Sequence, residues 1–410
     1  MTAYFDNRET RSEEARAAAL RHLLPRQLAH AKAKAPAYAA MLAGIDPDAV
    51  TDRGALALLP VTRKSALIEA QAAAPPLGGF TTLPFGALPR IFASPGPIHE
   101  PQGEGADPWH FARALHATGL RPGQLLHNCF AYHFTPAGMM LEEGARALRC
   151  PVFPAGPGNT ESQARAAAHL KPACYAGTPD FLKAILEAGD ALGLDLSSLT
   201  LGHVTGGAFL PALRAFYAAR GMTVLQSYGT ADLGMVAYES EAREGLICDE
   251  DVVVEIVRPG TGDPVPDGEV GEVLVTTFNT TYPLIRFATG DLSAVLPGAS
   301  PCGRTNQRIK GWMGRADQAA KVRGMFVRPE QVAAVMAAHP GLGRARLVIG
   351  LEETRDTMVL RVETPVRDAA LVQSLAQSLN GITRLRGTVD LVEPGALPND
   401  GKVIDDTRPA

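Results

Sequence analysis

The sequence predicts an α/β protein with a large N-terminal domain and a small C-terminal domain. From about residue 110 to 280, helical patterns alternate with short apolar strands, which favours right-handed βαβ crossovers and a mostly parallel sheet. Between residues 251 and 277, two β-prone runs flank the turn PDGEVG, which indicates an antiparallel hairpin and a β-rich subdomain. Beyond Asp317, the patterns follow the β-α-β-β-α-β order of a small split βαβ domain.

The individual elements follow from apolar periodicity and turn residues. Segment 12–33 has leucines at helical spacing, and Pro25 predicts a break or a kink in that helix. The next patterns predict helix 107–118, strand 124–130, helix 138–148, strand 150–153, a helix capped by Asn159 or Thr160, and strand 223–226. The C-terminal patterns predict strand 321–327, helix 329–339, strands 345–350 and 357–363, helix 368–379 and strand 387–392. The expected domains are therefore residues 1–316 and 317–410.

Composition narrows the function classes. Hydrophobic residues make up 46% of the 410 residues and charged residues 20%, which excludes a largely disordered chain. The net charge of -4 gives no electrostatic reason to expect a nucleic-acid partner. The N-terminus lacks the apolar core of a signal peptide, and no run is long enough for a membrane span. The five cysteines form no CxxC pair, so we expect reduced thiols and a cytoplasmic protein without membrane partners.

The segment from Tyr282 to Gly324 is the most informative. Its apolar run turns through Thr289 and Gly290 and is expected to present Asp291 at the end of a strand. A carboxylate beside a glycine turn suits two vicinal hydroxyls, as on a ribose. Some twenty residues later, Arg315 and Asp317 precede another β-prone stretch, which would give a nucleotide-binding charge followed by a chain pivot. The structural alternative is a turn aspartate and a surface arginine.

Two glycine-rich strand ends offer further ligand contacts. After strand 223–226, Tyr228, Gly229 and Thr230 are expected in a turn: the tyrosine offers a face for a purine, and the glycine lets a phosphate approach. Ser227, just before this turn, is a further candidate for nucleotide binding. Asp232 lies beyond the turn and could hold Mg²⁺ through one oxygen, or simply cap a helix. The second strand end comprises Gly206, Gly207 and Ala208, whose small side chains suit close ligand approach or a plain loop.

In this order, these motifs resemble the ribose, hinge, adenine and metal motifs of the adenylate-forming enzymes, the acyl-CoA synthetase superfamily. The entry segment LPVTRKSAL, residues 59–67, and the aromatic strip Tyr132, His133 and Phe134 resemble its phenylacetate-CoA ligase branch. In that branch the aromatic strip lines the acyl pocket. Core packing is the alternative for Phe134 and His133. Near the C-terminus, Lys402 follows Gly401 and resembles the catalytic lysine of the superfamily, although a terminal lysine is usually a solvated charge.

The resemblance implies an ATP-dependent, AMP-forming ligase whose domain 317–410 is a mobile lid. A carboxylic acid, expected to be an aryl acid such as phenylacetate, reacts with ATP to give acyl-AMP, and coenzyme A then displaces AMP. Lys402 would act at the acyl-phosphate junction, Asp232 would hold Mg²⁺, and Asp317 would be the hinge. The open alternatives are transfer to a carrier protein or an amine, and a non-catalytic nucleotide-binding homologue. Family members are often homodimers, which makes a homodimer one expected assembly.

The chain departs from the family in its phosphate loop. The family has a loop rich in Ser, Thr and Gly that ends in Lys, whereas here only Ser94 and Gly96 remain among prolines that have no N–H to donate, and Glu100 adds negative charge. We therefore expect weaker triphosphate binding. Ala231 also replaces the Thr of the metal motif. Cys248 and Cys302 do not complete a zinc site, so none is predicted.

Overall fold

A computed structural model describes residues 3–94, 98–316, 320–323, 325–352 and 355–408. The chain divides into two compact units. The first unit comprises residues 1–254, 275–287 and 296–311, and the second comprises residues 255–274, 288–295 and 312–410. The predicted boundary between residues 316 and 317 stays a prediction.

The α-helices of the described ranges begin and end as follows: Glu13–Lys34 (α1), Pro36–Met41 (α2), Arg53–Ala57 (α3), Lys64–Ala73 (α4), Phe111–Thr118 (α5), Ala137–Ala147 (α6), Thr160–Leu170 (α7), Pro179–Ala191 (α8), Pro211–Ala219 (α9), Pro329–Ala337 (α10) and Ala369–Thr383 (α11). Short 3₁₀ helices span Asn7–Thr10, Pro47–Ala49 and Phe85–Ala87. Each helix in these ranges is too short or too polar to traverse a bilayer.

The strands are Thr62–Arg63 (β1), Ile91–Ser94 (β2), Ile98–Pro101 (β3), Leu126–Asn128 (β4), Val152–Pro154 (β5), Cys174–Gly177 (β6), Leu201–Val204 (β7), Thr223–Thr230 (β8), Gly234–Glu239 (β9), Leu246–Cys248 (β10), Val252–Val257 (β11), Gly271–Thr277 (β12), Phe287–Ser293 (β13), Val295–Leu296 (β14), Arg308–Ile309 (β15), Ala320–Val322 (β16), Met325–Val327 (β17), Ala345–Glu352 (β18), Arg355–Glu363 (β19), Thr388–Val392 (β20) and Ile404–Asp406 (β21).

The central sheet has the order β14-β15-β10-β9-β8-β7-β6-β4-β5. Strands β5, β4, β6, β7 and β8 are parallel neighbours, whereas β9 pairs antiparallel with β8 and with β10. Helices α5 to α9 alternate with the parallel strands along the chain, which is the predicted βαβ pattern. The predicted α/β fold class is confirmed.

Two apolar cores hold this sheet. One packs α5 and α6 on β4 and includes Trp109, Phe111 and Leu141, while the other packs α7 and α8 and includes Tyr175 and Leu182. Because helices cover both faces, the central strands β4, β6 and β7 are buried along nearly their whole length rather than at alternate residues.

The second unit contains the split βαβ arrangement. Strands β20, β19, β18 and β21 form a sheet in that order, with β18 and β19 antiparallel and the outer pairs parallel. Helices α10 and α11 supply Val332, Val335, Leu375 and Leu379 to its core. The sequence patterns predicted this order but missed β21.

Two local predictions need correction. Helix α1 runs through Pro25, so the predicted break does not occur, and the alternative of a kink stays a prediction. The single strand expected over 321–327 is a hairpin of β16 and β17, because Arg323 adopts a left-handed conformation at its tip. Asn159 is the N-cap residue of α7, as predicted, but its side chain makes no capping hydrogen bond, and the Gln163 side chain bonds to His127 and to loop carbonyls.

Candidate functional site

The carboxyl edge of the parallel strands collects several of the predicted site residues. The aromatic strip follows β4, and the glycine-rich loop follows β7. Ser227 is the first residue of β8 beyond its parallel pairing with β7. In open parallel sheets this edge is where ligands bind. The sequence therefore placed these segments on the correct edge.

The glycine loop after β7 is exposed. Gly206 has a φ of 71°, a left-handed conformation that favours glycine. Gly207 and Ala208 are also exposed. The Thr205 hydroxyl donates to the carbonyl of Ser227 at 2.9 Å and ties this loop to the next strand. The loop thus presents backbone to solvent on a fixed support.

Residues Ser227 to Thr230 form the end of β8, so the expected turn at this position was wrong. They continue past β7 and pair with β9, and the register shifts between Tyr228 and Gly229. A Cβ at Gly229 would lie only 2.6 Å from the carbonyl oxygen of Gly234. The close approach of β9 therefore explains this glycine without a phosphate.

The side chains before the register shift are tied into the sheet. Ser227 shares a 2.9 Å hydrogen bond with Nε2 of His203, and Nδ1 of His203 bonds to the Thr118 hydroxyl at 3.1 Å. Burial lowers the pKa of His203 to about 4, so this histidine is neutral. The Tyr228 ring is largely buried beside them.

Asp232 lies in the turn between β8 and β9, not at the start of a helix. Its Oδ2 atom accepts a 3.1 Å hydrogen bond from Nζ of Lys64, the first residue of α4. Its Oδ1 atom is buried and has no hydrogen-bond partner among the described residues. An unpartnered carboxylate oxygen in a buried turn fits a Mg²⁺ ligand.

The β2–β3 hairpin carries what remains of the phosphate loop. Ser94 ends β2, and its hydroxyl donates to Oε1 of Glu100 at 2.6 Å. Gly96, together with Pro95 and Pro97, lies outside the described residues. Burial raises the pKa of Glu100 to about 8, and the negative charge of Asp232 adds to that rise. Sequence reasoning treated Glu100 as a loop charge and missed its burial.

The aromatic strip borders an open cleft of about 630 Å³. Tyr132, His133 and Phe134 line this cleft together with Phe92 and Met139. Phe134 is 78% exposed and His133 is exposed, so core packing does not explain either residue. The Tyr132 hydroxyl accepts a 2.7 Å hydrogen bond from Asn128, and burial raises its pKa.

The second unit brings Asp291 and Arg315 together. Asp291 Oδ1 accepts hydrogen bonds from Nη1 of Arg315 at 3.0 Å and from Nε1 of Trp312 at 3.1 Å. Asp291 lies inside β13 and not at a strand end, which corrects the sequence prediction. Backbone hydrogen bonds from Leu292 to Gly314 and from Ala316 to Gly290 hold the two segments side by side. Trp312 was missed, although an exposed Trp between glycines was a signal for it.

Lys402 lies elsewhere in the second unit. Its Nζ atom donates to Asp405 at 3.1 Å, and its side chain is 47% exposed. Gly401 before it has a φ of 70° and packs against Val270 and Leu292. Lys402 lines a cavity of about 260 Å³ within this unit. The proposed hinge, Asp317, lies outside the described residues.

A further acidic cluster, which sequence reasoning missed, lies in the first unit. We call it the His110 network: Asp249 and Asp251 with His110, Arg8 and Arg113. Asp249 accepts from His110 at 3.0 Å and from Arg113 at 2.9 Å, and Asp251 accepts from Arg8 at 2.7 Å. Burial lowers the pKa of His110, but the hydrogen bond and charge of Asp249 outweigh it and raise the pKa to about 9. The acids are thus already paired with cations.

Proteins of similar sequence are AMP-binding enzymes and phenylacetate-coenzyme A ligases. A family model described as an AMP-binding enzyme matches residues 125–281. A phenylacetate-coenzyme A ligase of Thermus thermophilus is 32% identical over 83% of this chain and 79% of its own length. The enzyme of the same name from Escherichia coli K12 is also 32% identical, over 74% of this chain and 72% of its own length.

Solved structures extend the similarity over nearly the whole chain. A 2-hydroxyisobutyryl-CoA ligase in complex with 2-HIB-AMP and CoA in the thioesterification state superposes with a TM-score of 0.72 at 26% identity, covering 99% of this chain and 93% of that one. The same ligase in the postadenylation state with 2-HIB-AMP gives a TM-score of 0.73, over 99% and 92%. The chain therefore belongs to the phenylacetate-coenzyme A ligase family, a branch of the adenylate-forming enzymes.

Proposed function

We propose that this chain is an ATP-dependent, AMP-forming ligase that joins a carboxylic acid, an aryl acid such as phenylacetate, to coenzyme A. In the first step a carboxylate oxygen attacks the α-phosphorus of ATP and pyrophosphate leaves. In the second step the thiol of coenzyme A attacks the acyl carbon, and AMP and a proton are released. Family membership supports the reaction class, and the Asp291 contact with Arg315 and Trp312 is the observation that carries the proposed site.

Asp291 is the proposed ribose ligand. A carboxylate can accept hydrogen bonds from two adjacent hydroxyls. Arg315 and Trp312 both donate to its Oδ1 atom, which fixes the orientation of the carboxylate on β13. The arginine also keeps a positive charge next to the ribose site, where the phosphate of AMP would benefit from it.

Lys402 is the proposed catalytic cation. Adenylation brings a carboxylate and a triphosphate together, so an ammonium at the reacting oxygens would stabilise the negative charge of the transition state. The bond joins Lys402, on a partly exposed loop, to Asp405, three residues later in β21. Exposed pairs of this kind are weak. Breaking this ion pair would therefore cost little free energy when the Lys402 ammonium moves to the reacting oxygens. Rotation about Asp317 stays a prediction.

The acyl group is the least specified part of the proposal. The cleft at Tyr132, His133 and Phe134 is lined with aromatic side chains, which supports an aryl acid. Mg²⁺ at Asp232 is proposed on its unpartnered Oδ1 atom. Transfer to a carrier protein or an amine is the alternative second step. The homodimer likewise stays a prediction.

Exchange of labelled pyrophosphate into ATP, with a panel of aryl and aliphatic acids, tests the first step. Removing one transition-state donor typically costs about 100-fold or more in rate, so Lys402→Ala should reduce exchange by about that factor. Lys34→Ala, at an exposed position in the last turn of α1, is the matched control and should leave exchange unchanged. Formation of an acyl-CoA thioester then separates coenzyme A from the other acceptors.

A non-catalytic nucleotide-binding protein is the second candidate. The β2–β3 hairpin favours it, because Glu100 places a buried carboxyl group beside Asp232 in the region expected to receive phosphates. This candidate predicts AMP binding in equilibrium dialysis without pyrophosphate exchange for any acid. Exchange that depends on Lys402 would eliminate it.

A further inference from the structure

A pair of buried carboxylates in the first unit has no matching set of cations. We call Glu100 and Asp232 the Glu100 pair. Glu100 lies on β3 and is 2% exposed, while Asp232 lies in the turn after β8 and is 7% exposed. Ser94 donates to one oxygen of Glu100, and Lys64 donates to one oxygen of Asp232. The remaining oxygens, Oε2 of Glu100 and Oδ1 of Asp232, are buried without a hydrogen-bond donor in the described part of the chain, and the two carboxyl groups lie within hydrogen-bonding reach of each other, which helps to raise the pKa of Glu100.

A third oxygen near the Glu100 pair, the hydroxyl of Tyr282, is also buried without a hydrogen-bond partner in the described residues. The tyrosine is 2% exposed. Burial raises the pKa of Tyr282, and the negative charges of Asp232 and Glu100 raise it further, so the phenol is within electrostatic reach of both acids. This tyrosine comes from the segment after β12, independently of the strands that carry the acids.

Leaving buried polar atoms unpaired is costly. Each such group costs about 1–3 kcal/mol, and more when it is charged. When both acids are ionised, one ammonium from Lys64 cannot balance them, so the site takes up either a proton, as the raised pKa of Glu100 indicates, or a metal cation. The unpartnered atoms are all oxygens, which is the ligand type that Mg²⁺ and Mn²⁺ prefer.

We propose that Glu100 and Asp232 together bind one Mg²⁺ or Mn²⁺ ion through their unpartnered oxygens, with the Tyr282 hydroxyl as a neutral neighbour. Asp232 was expected as a single ligand, and the new element is Glu100 as the second carboxylate. The role of the bound ion in catalysis rests on the proposed function, because the ion would then accompany the triphosphate of ATP. Binding of the ion does not need the nucleotide, because two carboxylates already provide the charge.

Mn²⁺ binding to the full chain without nucleotide tests this directly. Titration followed by the electron paramagnetic resonance signal of free Mn²⁺ should show one site in the wild type. Ligand charge sets the affinity of such sites, so Glu100→Gln and Asp232→Asn should each weaken binding by about tenfold or more. Glu104→Gln, which changes an exposed glutamate beyond the same hairpin, should leave binding unchanged.

Lys64→Met should change the Mn²⁺ affinity in the opposite direction to Glu100→Gln and Asp232→Asn. The ammonium of Lys64 bonds to the other oxygen of Asp232 and would repel a cation on Oδ1, so its removal should tighten Mn²⁺ binding. Thermal unfolding supplies a second readout: Mn²⁺ should raise the Tm of the wild type and not that of Glu100→Gln, whose own transition shows that it is folded. Equal Mn²⁺ affinity in wild type and Glu100→Gln would overturn the proposal and leave a shared proton as the neutralising charge.

The binding and exchange experiments fail independently. Pyrophosphate exchange in a protein whose Mn²⁺ affinity does not depend on Glu100 would sink only the two-carboxylate site. Glu100-dependent Mn²⁺ binding in a protein without exchange would support the site and sink the proposed ligase activity.

Discussion

The His110 network and the Glu100 pair are both buried carboxylate clusters of the first unit, but their charge balances differ. In the His110 network, Asp249 and Asp251 face two arginines and a histidine, and the same arginines also pair with Asp6 and Glu9. In the Glu100 pair, two carboxylates face one lysine and leave two oxygens unpartnered in the described residues. A buried charge is tolerated when it is paired and hydrogen-bonded.

This difference in charge balance indicates a structural role for the His110 network and a ligand-binding role for the Glu100 pair. The His110 network ties the N-terminal segment, through Arg8, to α5 and to the residues after β10. It needs nothing from outside the chain. The Glu100 pair is incomplete, and an incomplete buried site indicates a ligand. The number of carboxyl groups does not distinguish the two clusters, since each contains two.

The largest expected effect comes from breaking the matched cluster. Arg113→Met would leave Asp249 fully buried with only His110 and a backbone amide as donors. Breaking a buried pair from one side costs about 3–5 kcal/mol of unfolding free energy. A urea titration followed by far-UV circular dichroism measures this loss.

An exposed ion pair provides the control for Arg113. Arg165 bonds to Glu161 on the surface of α7, and Arg165→Met should cost less than about 1 kcal/mol. If both variants lost the same small amount, the His110 network would not be a stabilising element and the contrast between the clusters would fail.

The second prediction concerns the pH dependence of the same network. The pKa of His110 is raised to about 9 in the folded protein, above its ordinary value of 6.5. Protonated His110 therefore stabilises the fold fully below about pH 6.5, and this contribution is lost as the pH rises through 9. The stability difference between wild type and His110→Gln should shrink by about 3 kcal/mol between pH 6 and pH 10.

Comparison with the variant removes the titrations that both proteins share. Asp107, Asp249 and Asp251 add negative charge around His110, while Arg113 adds positive charge. A stability difference that stayed constant between pH 6 and pH 10 would mean that His110 is neutral in the folded protein. The charge balance assigned to the network would then be wrong.

The sequence could predict the fold because its order of elements is local information. Alternation of helices and strands before residue 280 and the split βαβ order after Asp317 depend on short-range periodicity. Strand β21 escaped detection because three residues carry no measurable period. The run Tyr282 to Ile285 is apolar and buried but is not a strand, because its amides bond to the Asn279 side chain and the Tyr38 hydroxyl.

Contacts between residues of the proposed site could be predicted where both residues lie in one stretch of chain, and were missed where two distant segments combine. Asp291 and Arg315 were recognised within one stretch of chain, and the structure joins them. Glu100 and Asp232 come from distant segments that only the fold brings together. The sequence of a proline-rich loop does not reveal whether one of its residues is buried or which residue it contacts. Sequence analysis therefore identified Glu100 only as a negative charge.

The smallest expected effect is a gain of stability in the unmatched cluster. In Glu100→Gln the amide oxygen can still accept from Ser94, and the new N–H can donate to Oδ1 of Asp232. A hydrogen bond to a charged group contributes about 1.5–3 kcal/mol, so this variant should be more stable than the wild type by about that amount in EDTA above pH 8, where Glu100 is ionised. Urea titration in EDTA measures the difference.

Saturating Mn²⁺ should reverse this order, because the ion stabilises only a folded protein that binds it. Glu104→Gln changes the same residue type at an exposed position and should match the wild type in both conditions. A Glu100→Gln protein less stable than the wild type in EDTA would show that the carboxylate is already satisfied without a ligand. The Glu100 pair would then belong with the His110 network as a structural cluster, and the contrast between them would disappear.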